Sequence, residues 1–301
     1  MTPRDLVGYG ADAPDPFWPG GAKLALSLVV NYEEGAELGF EAGDPVNEKI
    51  GEVTSPVPDG VRDLGIEQMF AYGLRAGLWR VLDALDRYDA PATFYMCGRS
   101  VERTPALARE VVRRGHEPAC HGWRWENHVG MADPVAERAL IDRAVQAIRE
   151  ATGQRPHGFY CRWAQSPNTR ALLKAEGGFE YDSNAYDDDL PYWDRSVPGG
   201  PMLVVPYALD ANDMKFFHPN GFATPQAFLD YLRCAVDQLV AEGERGRPKM
   251  LSVGLHLRII GRPARAWALE RFLEHVRGHG SAIWIARRLD IARHWARTHP
   301  A

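Results

Sequence analysis

The 301-residue chain is 45% hydrophobic and 25% charged, which excludes disorder and is enough for one large core or two modest domains. A net charge of −5 with no Lys/Arg-rich run leaves no electrostatic footprint for a nucleic acid or an anionic membrane surface. A small neutral or weakly polar ligand fits better.

The N-terminus, MTPRDLVGYGADAPDPFWPGG, lacks a positively charged start followed by an apolar core, and no stretch approaches the length needed to span a bilayer, so a cytoplasmic location is expected. The first strand is predicted over 22–32, AKLALSLVVNY, and ends in Asn31-Tyr32-Glu33-Glu34. A Pro/Gly/acid-rich segment, 41–65, follows; ordered loops of such length usually cover a site. In GLRAGLWRVLDALDRY, Leu74, Leu78, Val81, Leu82 and Leu85 recur at helical spacing and give one apolar stripe. Strands are predicted at 92–97, 116–121, 157–161, 202–207, 250–256 and 282–286, several too continuously apolar to be half-exposed. Thr104-Pro105, Asp133-Pro134, Ser166-Pro167 and Thr224-Pro225 each pair an N-cap residue with proline at the first helical position. The segment 184–200 is a second long stretch without periodicity.

Strands alternating with helices imply parallel strands and crossover helices, and roughly seven such units suit a barrel. In such a fold the active residues stand at the carboxyl ends of strands. That rule selects Glu33, Glu34, His121, Tyr160-Cys161-Arg162, Asp182-Ser183, His256 and Arg258. Adjacent carboxylates at a strand end point to opposite sides, so Glu33 and Glu34 need not both face the centre; if they do approach, repulsion raises one pKa and leaves a proton acceptor near neutrality. Arg258 and Arg262 are candidates to bind an anionic group or to pair with acidic loops. No G-x-S-x-G and no Gly-rich phosphate loop occurs, which disfavours a serine nucleophile and dinucleotide or ATP chemistry. The widely spaced Cys97, Cys120, Cys161 and Cys234 read as free thiols, with Cys161 before Arg162 a weak candidate for a low-pKa thiol.

The stretch CHGWRWENH, 120–128, looks like an interrupted metal motif. A second imidazole four residues after His121 would complete a common two-histidine pattern, but Trp125 stands there and the next histidine is His128. On a helix those two histidines would lie about 10 Å apart along the axis, too far to share an ion.

Together, NYEEG at 31–35, TFY at 93–95, CHGWRW at 120–125, SPNT at 166–169, YDS at 181–183, DDLPYW at 188–193 and GLH at 254–256 resemble the polysaccharide deacetylase family, and within it the cytosolic branch that contains the metal-independent allantoinases. The resemblance implies one catalytic domain over 1–301, an α/β fold built as a distorted (β/α) barrel of seven strands. Glu33 and Glu34 occupy the places of two aspartates, one a base and one a metal ligand. His121 matches the first ligand histidine, Trp125 replaces the second, and His256 matches the general acid. An indole has no lone pair to donate, and Glu34 with His121 alone would be a poor divalent site, so neither a metal nor another cofactor is expected; weak binding through Glu34, His121 and His128 stays open. Two departures fall in one loop: Tyr160 follows Gly158-Phe159 where the family usually has arginine, and the run Tyr160 to Gln165 differs from the allantoinase pattern.

The implied activity is that of a hydrolase acting on carbon–nitrogen bonds of cyclic amides, opening a cyclic ureide or imide, with allantoin to allantoate first. Glu33, Glu34, His121 and His256 are the expected catalytic residues; Trp125, Tyr160, Arg162, Asn168 and Arg258 are expected to bind a small-molecule substrate. Deacetylation of an N-acetyl sugar and a non-catalytic binding protein on the same barrel are the alternatives. The resemblance also implies a homo-oligomer, a tetramer, with no nucleic-acid or membrane partner.

Overall fold

The structure, a computed structural model, is described over residues 4–53 and 55–301. Its first strand, β1 (Leu24–Tyr32), is buried along its whole length, as a strand covered on both faces should be. Alternation sorts its side chains. Leu24, Leu26, Leu28, Val30 and Tyr32 join the core against the helices, whereas Ala25 and Val29 join Tyr95, Tyr160, Tyr181 and Tyr207 inside the curl of the sheet. Ser27 and Asn31 share that inner parity, and the next inner position is Glu33.

The other strands are β2 (Ala92–Met96), β3 (Glu117–Cys120), β4 (Gly158–Phe159), β5 (Tyr181–Asp182), β6 (Tyr192–Asp194), β7 (Met202–Val204), β8 (Lys249–His256) and β9 (Ile283–Ile285). They form one sheet in the order β6-β7-β5-β4-β3-β2-β1-β8, with β9 on β1. All pairings are parallel except β6 with β7. The expected distorted barrel is present as a curled sheet, with more and shorter strands than the sequence predicts. The run 157–161 contributes only Gly158–Phe159, and β6 was not anticipated; pieces this short carry no readable period.

The curl closes through coil. On the side of β8 away from β1, the amides of Met250 and Gly254 donate to the carbonyls of Asp189 and Ala211, both at 2.9 Å, and Asn212 forms a bridge with Gly254. Gly254 is required at this seam, because a Cβ there would collide with the Tyr207 hydroxyl and the Asn212 amide. The floor of the curl is a polar plug. The buried Arg288 guanidinium donates to Ser183 at 2.9 Å, Ser252 at 3.1 Å and the Pro206 carbonyl at 2.7 Å. Beside it the Glu117 carboxylate accepts from Thr93 at 2.6 Å and Tyr181 at 2.8 Å.

Around the sheet lie α1 (Leu64–Tyr72), α2 (Leu78–Arg87), α3 (Gly98–Arg103), α4 (Pro105–Arg113), α5 (Pro134–Thr152), α6 (Thr169–Glu176), α7 (Pro225–Glu244), α8 (Leu257–Ile260), α9 (Pro263–Gly278) and α10 (Arg288–Thr298). Of the predicted caps, Asp133 and Thr224 accept from the amides of Val135 and Ala227. Thr104 instead hydrogen-bonds the Tyr32 hydroxyl at 2.6 Å, and Ser166 accepts from the amides of Asn168 and Thr169, so α6 starts beyond Pro167. Among the described residues no helix is long and apolar enough to cross a membrane.

The predicted apolar stripe is buried, but its helix begins earlier, capped by Asp63, and contains a π turn at Gly73–Gly77 that joins α1 to α2. Such insertions in a helix concentrate at functional sites. Here the reason is contact: a Cβ on Gly73 would overlap the Glu34 carboxylate, and one on Gly77 the Leu257 carbonyl. Gly73→Ala should therefore lower stability by about 1–3 kcal/mol through overpacking, read as a lower urea midpoint at unchanged slope.

Candidate active site

At the carboxyl end of the sheet, Glu33, His121 and His256 occupy the next inward position of β1, β3 and β8, and Asn31 pairs with His256 in the ladder. Glu33 Oε1 lies 3.2 Å from His121 Nε2 and 3.4 Å from His256 Nε2, and its Oε2 accepts from Arg258 Nη1 at 2.6 Å. Burial works against the Glu33 charge, but His256, Arg258 and the hydrogen bond from His121 outweigh it and hold the carboxyl well below its usual range.

Each histidine is oriented by its other nitrogen. His121 Nδ1 lies 2.5 Å from the Tyr160 carbonyl, which fixes the ring with Nε2 toward Glu33. The His121 ring stacks on Tyr160 at 5.3 Å, and Tyr160 stacks on Tyr207 at 4.5 Å. His256 Nδ1 is 2.6 Å from Asp213 Oδ1, and the other oxygen of Asp213 accepts from the His256 and Ile260 amides at 2.8 and 3.1 Å. Burial opposes a charge on His256, yet Glu33 and Asp213 push its pKa up to about 9. Asp213 was not anticipated. The only hint was the polar run Asn212-Asp213 after a strand, and nothing local says that it reaches β8.

Glu34 follows the opposite parity and turns toward the helices. Its Oε1 accepts from the Arg258 amide and its Oε2 from the Glu33 amide, both at 3.2 Å, and no hydrogen bond joins it to His121 or His256. Burial pushes its pKa up to about 7, with the Glu33 charge adding to the shift and Arg258 opposing it. Arg258 is buried with its guanidinium 4.3 Å from the Phe70 ring centre and 4.6 Å from that of Trp125. A narrow groove lined by Gly51, Met69, Phe70, Phe217 and Arg262 reaches it.

The remaining sequence-predicted residues divide. Tyr160 and Trp125 line the centre. Arg162 is committed elsewhere: it donates to Glu48 at 2.7 Å and covers Trp125 at 3.7 Å, which ties the loop before α1 over the site as the loop's length suggested. Asn168 stands at the start of α6, and no hydrogen bond links its side chain to the centre. Asp182 pairs with Arg170 at 2.8 Å and Ser183 belongs to the floor. Cys161 is not a low-pKa thiol: burial pushes it well up. His128 faces the outer layer, with Nδ1 3.0 Å from Glu137, whose other oxygen accepts from Ser166 at 2.5 Å. The SPNT motif thus anchors α6 to α5.

Residues 62–181 match the model of the polysaccharide deacetylase family. A Schizosaccharomyces pombe protein that carries the polysaccharide deacetylase name is 37% identical over 99% of this chain and 98% of its own. The chain belongs to the polysaccharide deacetylase family. Its chemistry is accordingly that of an amide hydrolase of the deacetylase kind. Among solved structures, Puue allantoinase superposes with a TM-score of 0.95 at 46% identity, covering 100% of this chain and 99% of that one. A Pseudomonas aeruginosa PAO1 protein named a probable polysaccharide deacetylase superposes at 0.94 with 47% identity, covering 100% of both. A Helicobacter pylori peptidoglycan deacetylase is 26% identical over 69% of the chain and 80% of its own.

Metal-dependent polysaccharide deacetylases, as the sequence resemblance implies, hold their ion with an aspartate and two histidines. The donor set here does not fit one. Trp125 offers no lone pair, both Glu34 oxygens are taken by backbone amides, and the positive charge opposite the carboxylates is the Arg258 guanidinium.

The raised pKa values set a pH dependence. A His256 that titrates at about 9 when folded against 6.5 otherwise contributes stability fully below pH 6.5 and loses it as pH rises through 9. Glu34 acts with the same sign between 4.5 and about 7. The melting temperature should fall from pH 6.5 to 9, and His256→Gln should flatten that fall.

Proposed function

We propose that this protein is a metal-independent hydrolase that opens the ring of a cyclic ureide or imide, with allantoin to allantoate the first substrate to test. The observation that carries the reading is the Arg258 guanidinium on Glu33, stacked by Phe70 and Trp125 in the region where a metal-dependent relative needs an ion and a second imidazole. The full-length similarity to Puue allantoinase supports it.

Glu33 is the base and His256 the acid, two neighbours whose pKa values are driven apart by their surroundings. With His256 and Arg258 both on it, Glu33 is a weak base; a substrate carbonyl that draws those donors away restores its proton affinity. Water then adds to the ring carbonyl and gives its proton to Glu33. The developing oxyanion is held by donors from Arg258 and His256 rather than by a metal, the ring C–N bond breaks, and the His256 proton goes to the departing nitrogen. His121 orients the water. Glu34 acts at one remove, by fixing the Arg258 backbone. Among the described residues, Asn31 Oδ1 and Arg258 Nε are buried without partners, an acceptor and a donor of the kind that the N–H and C=O of a ureide would satisfy.

Closure of the centre favours a small ring over a polymer. Glu33 and His121 are each 1% exposed and His256 5%, a depth that a small ring reaches more readily than a chain of sugars does. The deacetylase relatives support a second reading, the same apparatus acting on an acyclic acetamide. The ureide reading extends to a cytoplasmic enzyme that works as a homo-oligomer, on the resemblance alone.

Turnover of allantoin, hydantoin, succinimide and an N-acetylglucosamine oligomer by the purified protein separates these readings. Ring opening alone is expected; release of acetate alone would overturn the proposal, and binding of a ureide without turnover of any compound would mark a non-catalytic barrel. Glu33→Gln and His256→Ala should each lower kcat at least about 10²-fold with circular dichroism unchanged. Activity should also survive prolonged chelation, whereas a metal-activated water would be lost.

A further inference from the structure

At the opposite end of the barrel, a second group of ligating side chains converges. Asp237 stands in the half of α7 that leads down to the start of β8, and α9 runs from the rim to the floor beside it. His275 is in the last turn of α9 and His279 follows four residues on, so both rings lie on one face. His275 Nε2 is 2.7 Å and His279 Nε2 3.0 Å from the same oxygen of Asp237, and the two Nε2 atoms are 3.4 Å apart. The rings meet edge to face, with an interplanar angle of 84°. Among the described residues this is the one group of three ligand atoms within 4.8 Å of one another; the buried carboxylates and imidazoles of the catalytic centre do not form another.

Metal–ligand bonds of about 2.0–2.1 Å at tetrahedral angles place ligand atoms about 3.3–3.4 Å apart. The imidazole pair has that separation already, and the Asp237 side chain, 53% exposed, is free to withdraw by a few tenths of an ångström. No hydrogen bond constrains either Nδ1, so each ring can carry its proton there and offer an Nε2 lone pair. We propose that Asp237, His275 and His279 form a binding site for a first-row divalent transition ion, with Zn²⁺ the natural occupant of a two-imidazole, one-carboxylate set. The fourth position faces solvent. The ion joins α7 to the end of α9 and so braces the turn into β9. It lies about 18 Å along α9 from the helix's start at the rim, and takes no part in the chemistry at Glu33.

Tag-free protein, stripped with chelator, is titrated with Zn²⁺ by calorimetry and its melting temperature followed. One ion per chain and a raised melting temperature are expected, with hydrolytic activity unchanged. Asp237→Asn, at an exposed position that leaves the fold intact, should weaken binding at least tenfold, and His275→Gln with His279→Gln should abolish it. Co²⁺ in place of Zn²⁺ should give the intense visible absorption of a tetrahedral site in the parent alone. Absence of binding to the parent, or binding that persists in both variants, would overturn the proposal.

Discussion

The buried ion pair between Glu33 and Arg258 is the constraint around which the rest of the site is organised. Two adjacent carboxylates at the end of one strand cannot be taken out of water unless a fixed positive charge meets them. Arg258 meets Glu33 with its side chain and Glu34 with its backbone amide. The guanidinium is kept in place by the rings of Phe70 and Trp125, a cation–π placement that suits a weakly hydrated guanidinium better than a strongly hydrated ammonium. The glycine at 73 answers the same demand, since the Glu34 carboxylate fits only where the passing helix has no side chain.

On the proposed reading, this arrangement lets a deacetylase-type barrel work without an ion. A metal and a guanidinium both neutralise the carboxylates, but the metal also activates water, whereas the guanidinium only donates hydrogen bonds. In that reading the burden of activation shifts to Glu33, and that of protonation to a His256 whose charge Glu33 and Asp213 both favour. A ring amide in a strained cycle asks less of such a centre than an acyclic amide does.

Much of this was legible in the sequence because strand parity is simple. A predicted strand over 22–32 sets Glu33 and Glu34 on opposite sides and leaves open which of them faces the centre; the structure puts Glu33 there with Ala25 and Val29, and Glu34, expected among the catalytic residues, toward the helices. The apolar stripe of Leu78, Val81, Leu82 and Leu85 identified its helix correctly. What escaped notice was non-local or too short to have a period. Asp213 reaches His256 from a turn far along the chain, β6 is three residues long, and Arg162, expected at the substrate, is claimed by Glu48 of a loop whose path no local pattern reveals. The motif that contains Asn168 secures a helix start, a role that its residue types alone do not distinguish from substrate contact.

The closure of the sheet through coil between β7 and β8 has a mechanical consequence. A ladder of strands has a fixed register, and changing its circumference by one residue inverts every side chain that follows. A coil seam has no such rule: between Tyr207 and Ala211, which are both pinned, residues can be gained or lost while the ladders on either side keep their phase. Because Asp213 leaves that seam to hold His256, the aim of His256 is set by coil rather than by the ladder. The wall of this barrel is stiff where Glu33 stands and held by coil where Asp213 meets His256, so the width of the cavity can change on that side without refolding the sheet.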